Sequence, residues 1–254
     1  MGGTTEAHRA VTRLEQEGYR VVVSVATAMG ESRVVGARTE TGRKSAREMA
    51  ERAGSLGASA FIDCSHPFAL EASEETRRAA GFVNMPYLRY SRPASAEFES
   101  GISVVRTWEK AVDILTDTGH RSLLTIGTRN LAAFVDAGLD FTVRVLPVAE
   151  SLDECARLGI GPENIIAACP PYSVDFNRAC IRRARASALL TKDSGLEGGL
   201  PDKLEAAAAE AARVIIVSRP EEPGAIVDLD ALVESLKQAL IQSRTSKQTG
   251  GSKQ

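Results

Sequence analysis

Short apolar runs alternate with amphipathic stretches along the whole of this chain. Residues Tyr19 to Ala26 include four valines, whereas residues Glu6 to Glu17 repeat small apolar side chains at helical spacing. Nearly continuous apolar runs are typical of parallel strands that are covered on both faces. The alternation therefore predicts an α/β fold in which crossover helices join parallel strands.

The same order of elements continues to the end of the sequence. The first half is predicted to hold a helix over 44–56, a strand over 60–64, a helix entered through Pro67 and a strand over 86–90. The second half is predicted to hold strands over 102–105, 122–126, 141–146, 164–169, 188–191 and 214–218, with its clearest helices over 201–212 and 229–241. Two Rossmann-like, doubly wound parallel-sheet halves are expected.

Composition changes mark the domain boundaries. The segment from Ser91 to Gly101 carries Pro93 among small and polar residues and is the best linker, while the polar end of the chain lacks periodicity. We expect a cofactor-binding Rossmann-like domain over residues 1–92, a second Rossmann-like domain over 102–242 and a disordered tail over 243–254. The amino-terminal domain should lack its first strand, because Gly2 and Gly3 stand where that strand would already have ended. Residues Met1 to Thr5 are then expected to be mobile.

Composition excludes several classes of function. The 31 Lys and Arg residues nearly balance 33 Asp and Glu residues, so no general basic field favours nucleic acid. No apolar run reaches the roughly 20 residues of a membrane span, and no signal segment is evident, which favours a cytoplasmic protein without a membrane partner. The four cysteines form no CxxC pair, so neither a metal site nor a disulfide framework is expected.

Ligands of open α/β sheets bind at the carboxyl ends of strands. The turn formed by Gly2, Gly3, Thr4 and Thr5 lets backbone approach a diphosphate at a helix start, although a merely structural turn is equally consistent with it. The next strand ends in Ser24 and Thr27 without an acidic residue, and arginines follow, which suits the extra phosphate of NADPH better than NADH. A solvated basic loop is the alternative for Arg33 and Arg38, whereas Gly42 and Arg43 join the expected cofactor set.

The third strand ends in Cys64, His66 and Pro67, which we also assign to the cofactor site. His66 is a candidate catalytic residue, although a histidine before a proline also shapes turns. Arg89 and Arg92 flank the following strand and are candidate ligands for substrate carboxylates.

The second half delivers polar residues to three loops. These are Thr128, Arg129 and Asn130; Tyr172 and Ser173; and Lys192, Asp193, Ser194 and Gly195. The glycine-rich loop after Lys192 is the strongest signal, because plain connections rarely use so many glycines. A surface ion pair between Lys192 and Asp193 is the alternative interpretation.

Taken together, the motifs resemble the precorrin-6A reductase family of cobalamin biosynthesis, which includes the cobalt-precorrin-6A reductases. The resemblance extends to about Pro220 and rests on GGTTEA at Gly2, SVAT at Ser24, GR at Gly42, CSHPFA at Cys64, PYLRYSRP at Pro86, LLTIGTRNL at Leu123, RVLP at Arg144 and TKDSGLEGG at Thr191. It departs from the family at Cys64, where Thr is usual, and at Pro170, where Gly is usual.

The resemblance implies reduction of a double bond in a tetrapyrrole macrocycle by NADPH, or alternatively NADH, in a cleft between the two halves. A proton is expected from His66, Tyr172, Lys192 or solvent. The expected partners are the tetrapyrrole and neighbouring enzymes of the corrin pathway. Two alternatives stay open on the same fold, namely a non-catalytic nucleotide- or tetrapyrrole-binding protein and a methyltransferase that uses S-adenosylmethionine.

Overall fold

The computed structural model describes residues 2–26, 36–91, 101–195 and 198–250. In chain order, its elements are α1 (Thr5–Gln16), β1 (Val22–Val25), β2 (Arg38–Thr41), α2 (Ala46–Leu56), β3 (Phe61–Asp63), α3 (Leu70–Phe82), β4 (Tyr87–Arg89), β5 (Ile102–Val105), α4 (Trp108–Thr118), β6 (Ser122–Leu124), α5 (Leu131–Asp136), β7 (Phe141–Val145), α6 (Ala149–Arg157), β8 (Ile165–Ala167), α7 (Val174–Ala184), β9 (Ala188–Lys192), α8 (Leu200–Ala209), β10 (Arg213–Val217) and α9 (Leu229–Gly250). A short 3-10 turn, Pro162–Asn164, precedes β8. The α/β architecture with parallel strands is confirmed.

The chain divides into two compact units. The first consists of Met1–Pro93 and Glu221–Gln254, and the second consists of Ala94–Pro220. This division differs from the predicted domain over 102–242, because the last helix packs against the amino-terminal elements. Leu14 of α1 and Leu236 of α9 share one buried apolar cluster. The helix also continues to Gly250, past the residue where the polar tail was predicted to begin.

The first unit contains two separate pairs of parallel strands. β1 pairs with β2, and β3 pairs with β4. Along β3, Ile62 packs with the cluster of α1 and α9, whereas Phe61 packs with the cluster of α2 and α3. Successive residues of a strand point to opposite faces, so helices cover both faces of this pair.

The second unit is built on one six-stranded parallel sheet with the order β5-β10-β9-β6-β7-β8. Its central strands are mainly apolar, and every residue of β7 is buried, including Thr142 and Arg144. Leu123, Leu189 and Ile216, from three neighbouring strands, pack in one core cluster with α7 and α8. Burial on both faces explains why these strands are visible in the sequence as continuous apolar runs.

Two local predictions differ from the structure. The strand β2 was not predicted, because its residues Arg38–Thr41 alternate charged and polar side chains and form an edge of their pair. Pro67 does not begin α3, which starts at Leu70 after Ala69. Pro67 instead occupies the preceding turn, in which the Ala69 amide donates to the His66 carbonyl at 2.7 Å.

Candidate functional site

The predicted glycine turn of the first unit ties together the carboxyl ends of β1 and β3. The Gly2 amide donates to the Ser24 carbonyl at 3.0 Å. The Thr4 hydroxyl donates to the Cys64 carbonyl at 2.8 Å and accepts from the Ala7 amide at 3.1 Å, which caps α1. Four predicted cofactor residues, Gly2, Thr4, Ser24 and Cys64, are therefore brought together.

Close approach requires glycine at the start of this turn. A Cβ atom on Gly2 would lie 2.6 Å from a methyl carbon of Val23, closer than nonbonded carbons allow. Gly3 has a φ of 95°, in the left-handed region that favours glycine. Thr5 begins α1 directly behind the turn. The first amides of a helix point toward its amino-terminal end and are the kind of donors that a diphosphate requires.

The carboxyl ends of β1 and β2 lie side by side. Val25 pairs with Thr41, and the Gly42 amide donates to the Val25 carbonyl at 2.9 Å. Gly42 has a φ of 119°, and the Arg43 side chain that follows is exposed. Arg43 therefore lies at the sheet edge that also carries Ser24, whereas Thr27 and Arg33 lie outside the described residues.

The loop after β3 places His66 at the same edge. The His66 Nδ1 atom accepts from the Phe68 amide at 3.2 Å, and the ring is half-buried. Pro67 beside it is buried. The Cys64 side chain is also buried, and desolvation raises the pKa of its thiol to about 12. The thiol of Cys64 therefore stays protonated at neutral pH and is not a nucleophile. Cys64 provides a carbonyl acceptor and a buried side chain at this edge.

Arg89 is part of a buried ion-pair network. Its Nη1 atom lies 3.2 Å from the Asp63 carboxylate, and its Nε atom donates to Glu222 at 2.7 Å. Its Nη2 atom donates to the Ser65 carbonyl at 2.9 Å. Two carboxylates of its own unit neutralise this guanidinium, which makes a structural role the alternative to the predicted role as a substrate ligand. Arg92, predicted for the same role, lies outside the described residues.

In the second unit, Lys192 ends the central strand β9. The strand lies between β6 and β10, so Lys192 is held at the middle of the carboxyl edge. Its Nζ atom lies 5.7 Å from the centre of the Trp108 ring, a cation–π contact. Burial, and secondarily the charge of Arg129, lowers the pKa of Lys192 to about 8.

The glycine-rich loop after Lys192 is held internally. Asp193 is buried and accepts from Arg219 at 3.2 Å and 3.3 Å, so its ion-pair partner is Arg219. The Ser194 hydroxyl donates to the Gly198 carbonyl at 3.1 Å. A Cβ on Gly198 would lie 2.2 Å from the Ser194 Cβ. Together with Gly195, whose φ is 65°, these contacts close a tight loop beside Lys192.

The loop after β6 carries Arg129 as an exposed cation. The Thr125 amide before it donates to the Leu190 carbonyl at 2.9 Å, which fixes this loop beside the end of β9. Thr128 and Asn130 are half-buried, and the Thr128 carbonyl accepts from the amide of Leu131 at the start of α5. Arg129 and Lys192, predicted separately from the sequence, therefore belong to one edge.

Tyr172 and Ser173 line a surface cavity of about 500 Å³ at the end of β8. The Tyr172 hydroxyl donates to the Ala168 carbonyl at 2.7 Å. The Ser173 hydroxyl caps α7 by accepting from the Phe176 amide at 3.2 Å. Both hydroxyl groups are thus engaged in shaping the loop that borders the cavity.

Two buried cations that sequence reasoning missed lie near this edge. Arg144 of β7 stacks on the Tyr172 ring and donates to Asn177 at 2.7 Å. Lys203 of α8 is only 7% exposed, and its Nζ atom donates to the Gly198 carbonyl at 3.2 Å. Burial, then the charges of Arg144 and Lys192, lower the pKa of Lys203 to about 7. The RVLP motif was a signal for Arg144, whereas a lysine within a helix gives none.

Two further kinds of site, metal centres and membrane-spanning helices, bear on the function of this chain. Among the described residues, no group of three or more His, Cys, Asp or Glu side chains is arranged to hold a metal ion. In the part of the chain that the structure covers, no helix has both the length and the apolar character of a bilayer-spanning segment.

The fold and these strand-end residues define a Rossmann-like α/β enzyme. The chain belongs to the precorrin-6x reductase CbiJ/CobK family, whose model matches residues 1–240. The resemblance found in the sequence motifs is therefore confirmed.

Individual relatives support the same family. The chain is 32% identical over 261 residues to the cobalt-precorrin-6A reductase of Salmonella typhimurium strain LT2, a match that covers 100% of this chain and 97% of the relative. It is 34% identical over 231 residues to the cobalt-precorrin-6A reductase of Methanothermobacter thermautotrophicus, which covers 87% and 76%, respectively. A solved structure of CobK precorrin-6A reductase has a TM-score of 0.71 at 23% identity, covers 93% of this chain and 94% of its own, and supports the fold.

Proposed function

We propose that the protein reduces a double bond in the macrocycle of precorrin-6A, or of its cobalt complex, in cobalamin biosynthesis. The family match over residues 1–240 carries this proposal. A reductase of this family implies a nicotinamide cofactor, which supplies the hydride when it is bound. What the chain itself must provide is a place for the cofactor, a place for the macrocycle and a proton.

The glycine turn of the first unit fits a nicotinamide dinucleotide. Its amides lie at the start of α1, and Gly2 is packed so closely on Val23 that a side chain is excluded. Backbone that is free of side chains allows a diphosphate to approach the amides and the positive end of the helix dipole. We assign the diphosphate to the turn of Gly2, Gly3 and Thr4, in which Gly2 gives close access while its amide stays bonded to Ser24. Thr5, Cys64, His66 and Pro67 surround the diphosphate in this assignment.

The cofactor in this proposal is NADPH. The end of β1 presents Ser24, a neutral residue, where an acidic side chain would repel a 2′-phosphate. Arg43 is exposed at the neighbouring end of β2 and supplies a cation for that phosphate. Glu40, on the same strand, accepts from Arg52 at 2.9 Å, so its charge is already neutralised.

Cations of the second unit bind the carboxylates of the macrocycle in this proposal. Lys192 ends the central strand β9, and Arg129 is exposed on the loop after the neighbouring strand β6. Guanidinium and ammonium groups are the usual ligands of carboxylates. We therefore assign Arg129 and Lys192 as ligands of a macrocycle carboxylate, and Thr128, Asn130 and Ser173 as further substrate-binding residues.

Lys192 is the proton donor that we favour. Its pKa of about 8 leaves it protonated at neutral pH and close enough to that pH to release a proton. Tyr172 is less suited, because its hydroxyl already donates to Ala168. His66 belongs to the first unit and is assigned to the cofactor side.

The proposal is tested by mixing the purified chain with NADPH and either precorrin-6A or cobalt-precorrin-6A. We expect loss of the NADPH absorbance band in proportion to the macrocycle reduced. Lys192→Ala should lose most of this rate, whereas Lys110→Ala, on the exposed face of α4, is the matched control. No oxidation of NADPH or NADH with either macrocycle would contradict the proposal. Consumption of S-adenosylmethionine instead would identify a methyltransferase.

A further inference from the structure

A buried asparagine holds the loop between β8 and α7. Asn177 lies in the first turn of α7 and is only 2% exposed. Its Oδ1 atom accepts from the Nη1 atom of Arg144 at 2.7 Å. Its Nδ2 atom donates to the Ser173 carbonyl at 2.9 Å and to the Tyr172 carbonyl at 3.4 Å. The two ends of this side-chain amide therefore join the sheet to the loop.

Arg144 determines which way the amide of Asn177 faces. A guanidinium group only donates hydrogen bonds, so the atom of Asn177 beside it is the oxygen, and the NH2 group faces the loop. Arg144 belongs to β7, whose residues are all buried, and its guanidinium also stacks on the Tyr172 ring. A residue of the sheet thus sets the donor that the loop receives.

The other contacts of this loop close it and leave one hydroxyl at the cavity. The Ala168 amide at its start donates to the Val145 carbonyl at 3.0 Å, and the Tyr172 hydroxyl donates to the Ala168 carbonyl at 2.7 Å. The Ser173 hydroxyl accepts from the Phe176 amide at 3.2 Å and lines the surface cavity of about 500 Å³. A hydroxyl that accepts one bond can still donate its own hydrogen to a ligand.

We propose that Asn177 is a positioning residue for binding of the macrocycle and that Arg144 holds it in the required orientation. Among the described residues that line the cavity, neither of the two appears, so both act through Tyr172 and Ser173. Small displacements of a binding group weaken its interactions with a ligand. The inference rests on the proposed function, because it takes the macrocycle as the ligand and Ser173 as one of its binding residues.

Asn177→Asp tests this role with little change in shape. The variant keeps an acceptor for Arg144 but replaces both donors by an oxygen that faces two carbonyl oxygens. An ion pair with Arg144 offsets part of the lost bonding, so the fold should be retained. KM for the macrocycle should rise at least about tenfold and kcat should change less than about twofold, because Lys192 lies on another strand.

Binding can also be measured without turnover. Titration of the macrocycle in the absence of cofactor, followed by its visible absorbance, gives a dissociation constant. This constant should rise by the same factor as KM in Asn177→Asp.

The thiol of Cys169 reports on the loop directly. Cys169 is exposed and lines the cavity, whereas Cys64, Cys155 and Cys180 are buried. Labelling by a chromogenic disulfide reagent, without substrate, should be at least about threefold faster for Asn177→Asp than for the unmodified protein, because a loosened loop opens more often. If Asn177 only stabilised the fold, its replacement would lower the melting temperature without changing this rate or KM well below melting.

Asn164→Asp is the matched control. Asn164 also accepts from an arginine, Arg121, at 3.0 Å, but it precedes β8 and so lies at the opposite end of that strand from the loop. This variant should leave KM, the dissociation constant and the labelling rate unchanged. If Asn177→Asp does not fold, Asn177→Ala takes its place, because it removes both donors without adding a charge.

An unchanged KM in Asn177→Asp would overturn the proposal, as would a raised KM with an unchanged rate of Cys169 labelling. Equal effects of Asn164→Asp would also overturn it. The proposed function fails separately, if the unmodified protein binds the macrocycle but oxidises no nicotinamide cofactor. The dissociation constants and labelling rates then still decide the role of Asn177.

Discussion

The guanidinium carbon of Arg144 lies 3.9 Å from the centre of the Tyr172 ring. The same ring also stacks on Phe176, with ring centres 5.3 Å apart. Arg144 is buried and therefore depends on this ring and on Asn177 for its solvation. The relationship links a buried cation of the sheet to the loop that borders the surface cavity.

Two substitutions at Tyr172 distinguish the contribution of its ring from that of its hydroxyl group. Tyr172→Phe keeps the stack on Arg144 and loses only the bond to Ala168, so turnover should fall by less than about threefold. Tyr172→Leu removes the ring and should raise KM for the macrocycle and lower the melting temperature. Steady-state kinetics and thermal melting of both variants test this. A large loss of kcat in Tyr172→Phe would instead identify the hydroxyl as the proton donor.

Arg89 should be a stability residue and not a substrate ligand. Arg89→Met leaves the Asp63 carboxylate buried without its guanidinium partner, which costs about 3–5 kcal/mol of unfolding free energy. Urea unfolding measures this loss, and Arg89→Lys should recover part of it. In protein that remains folded, KM for the macrocycle should stay unchanged. A raised KM without destabilisation would restore the role that the sequence suggested.

Arg43 should carry the preference for NADPH. Arg43→Ala should weaken NADPH binding about tenfold, equivalent to about 1.4 kcal/mol, and leave NADH binding unchanged, because only NADPH has the 2′-phosphate. Titration of both cofactors measures the effect. Arg47→Ala, which removes an exposed arginine at the second position of α2, is the matched control. Tighter binding of NADH by the unmodified protein would contradict the assignment.

The sequence was sufficient for the buried strands and insufficient for contacts across the chain. β7 and β10 were predicted because burial on both faces makes them mainly apolar. β2 was missed because an edge strand needs no apolar run. The role of Arg89 depends on Glu222, which is 133 residues away in sequence, and no local pattern encodes such a pairing.

The candidate site shows the same division. Gly2, Thr4 and Lys192 could be predicted as site residues because strand ends and glycine-rich turns are local signals. Lys203 was missed because lysine within a helix is normally exposed, and only tertiary packing buries it. Asp193 was predicted as a site residue, but its ion pair with Arg219 depends on the pairing of β9 with β10, which no local pattern shows.

Lys192 should make substrate binding depend on pH. Its pKa of about 8 means that it loses its charge as the pH rises through that value, so KM for the macrocycle should increase above about pH 8. Lys192→Arg keeps a charge throughout this range and should give a flatter KM profile, although it should lower kcat if Lys192 donates the proton. KM and kcat measured from pH 6 to 10 test both effects. Identical KM profiles for the two proteins would exclude Lys192 as the carboxylate ligand.

Lys203 should oppose folding at neutral pH. Its pKa falls from 10.5 in the unfolded chain to about 7 in the folded protein, so between these values the unfolded state binds more protons. The contribution of Lys203 to the unfolding free energy therefore rises with pH across that window and is lowest below about pH 7. Lys203→Met removes the titration, so the unfolding free energy of the unmodified protein relative to this variant should increase with pH by up to about 1.4 kcal/mol per unit. Urea unfolding of both proteins from pH 6 to 10 measures the difference. Lys237→Met, on the exposed side of α9, should show no such rise, and a flat difference for Lys203→Met would show that its ammonium is stabilised in the fold.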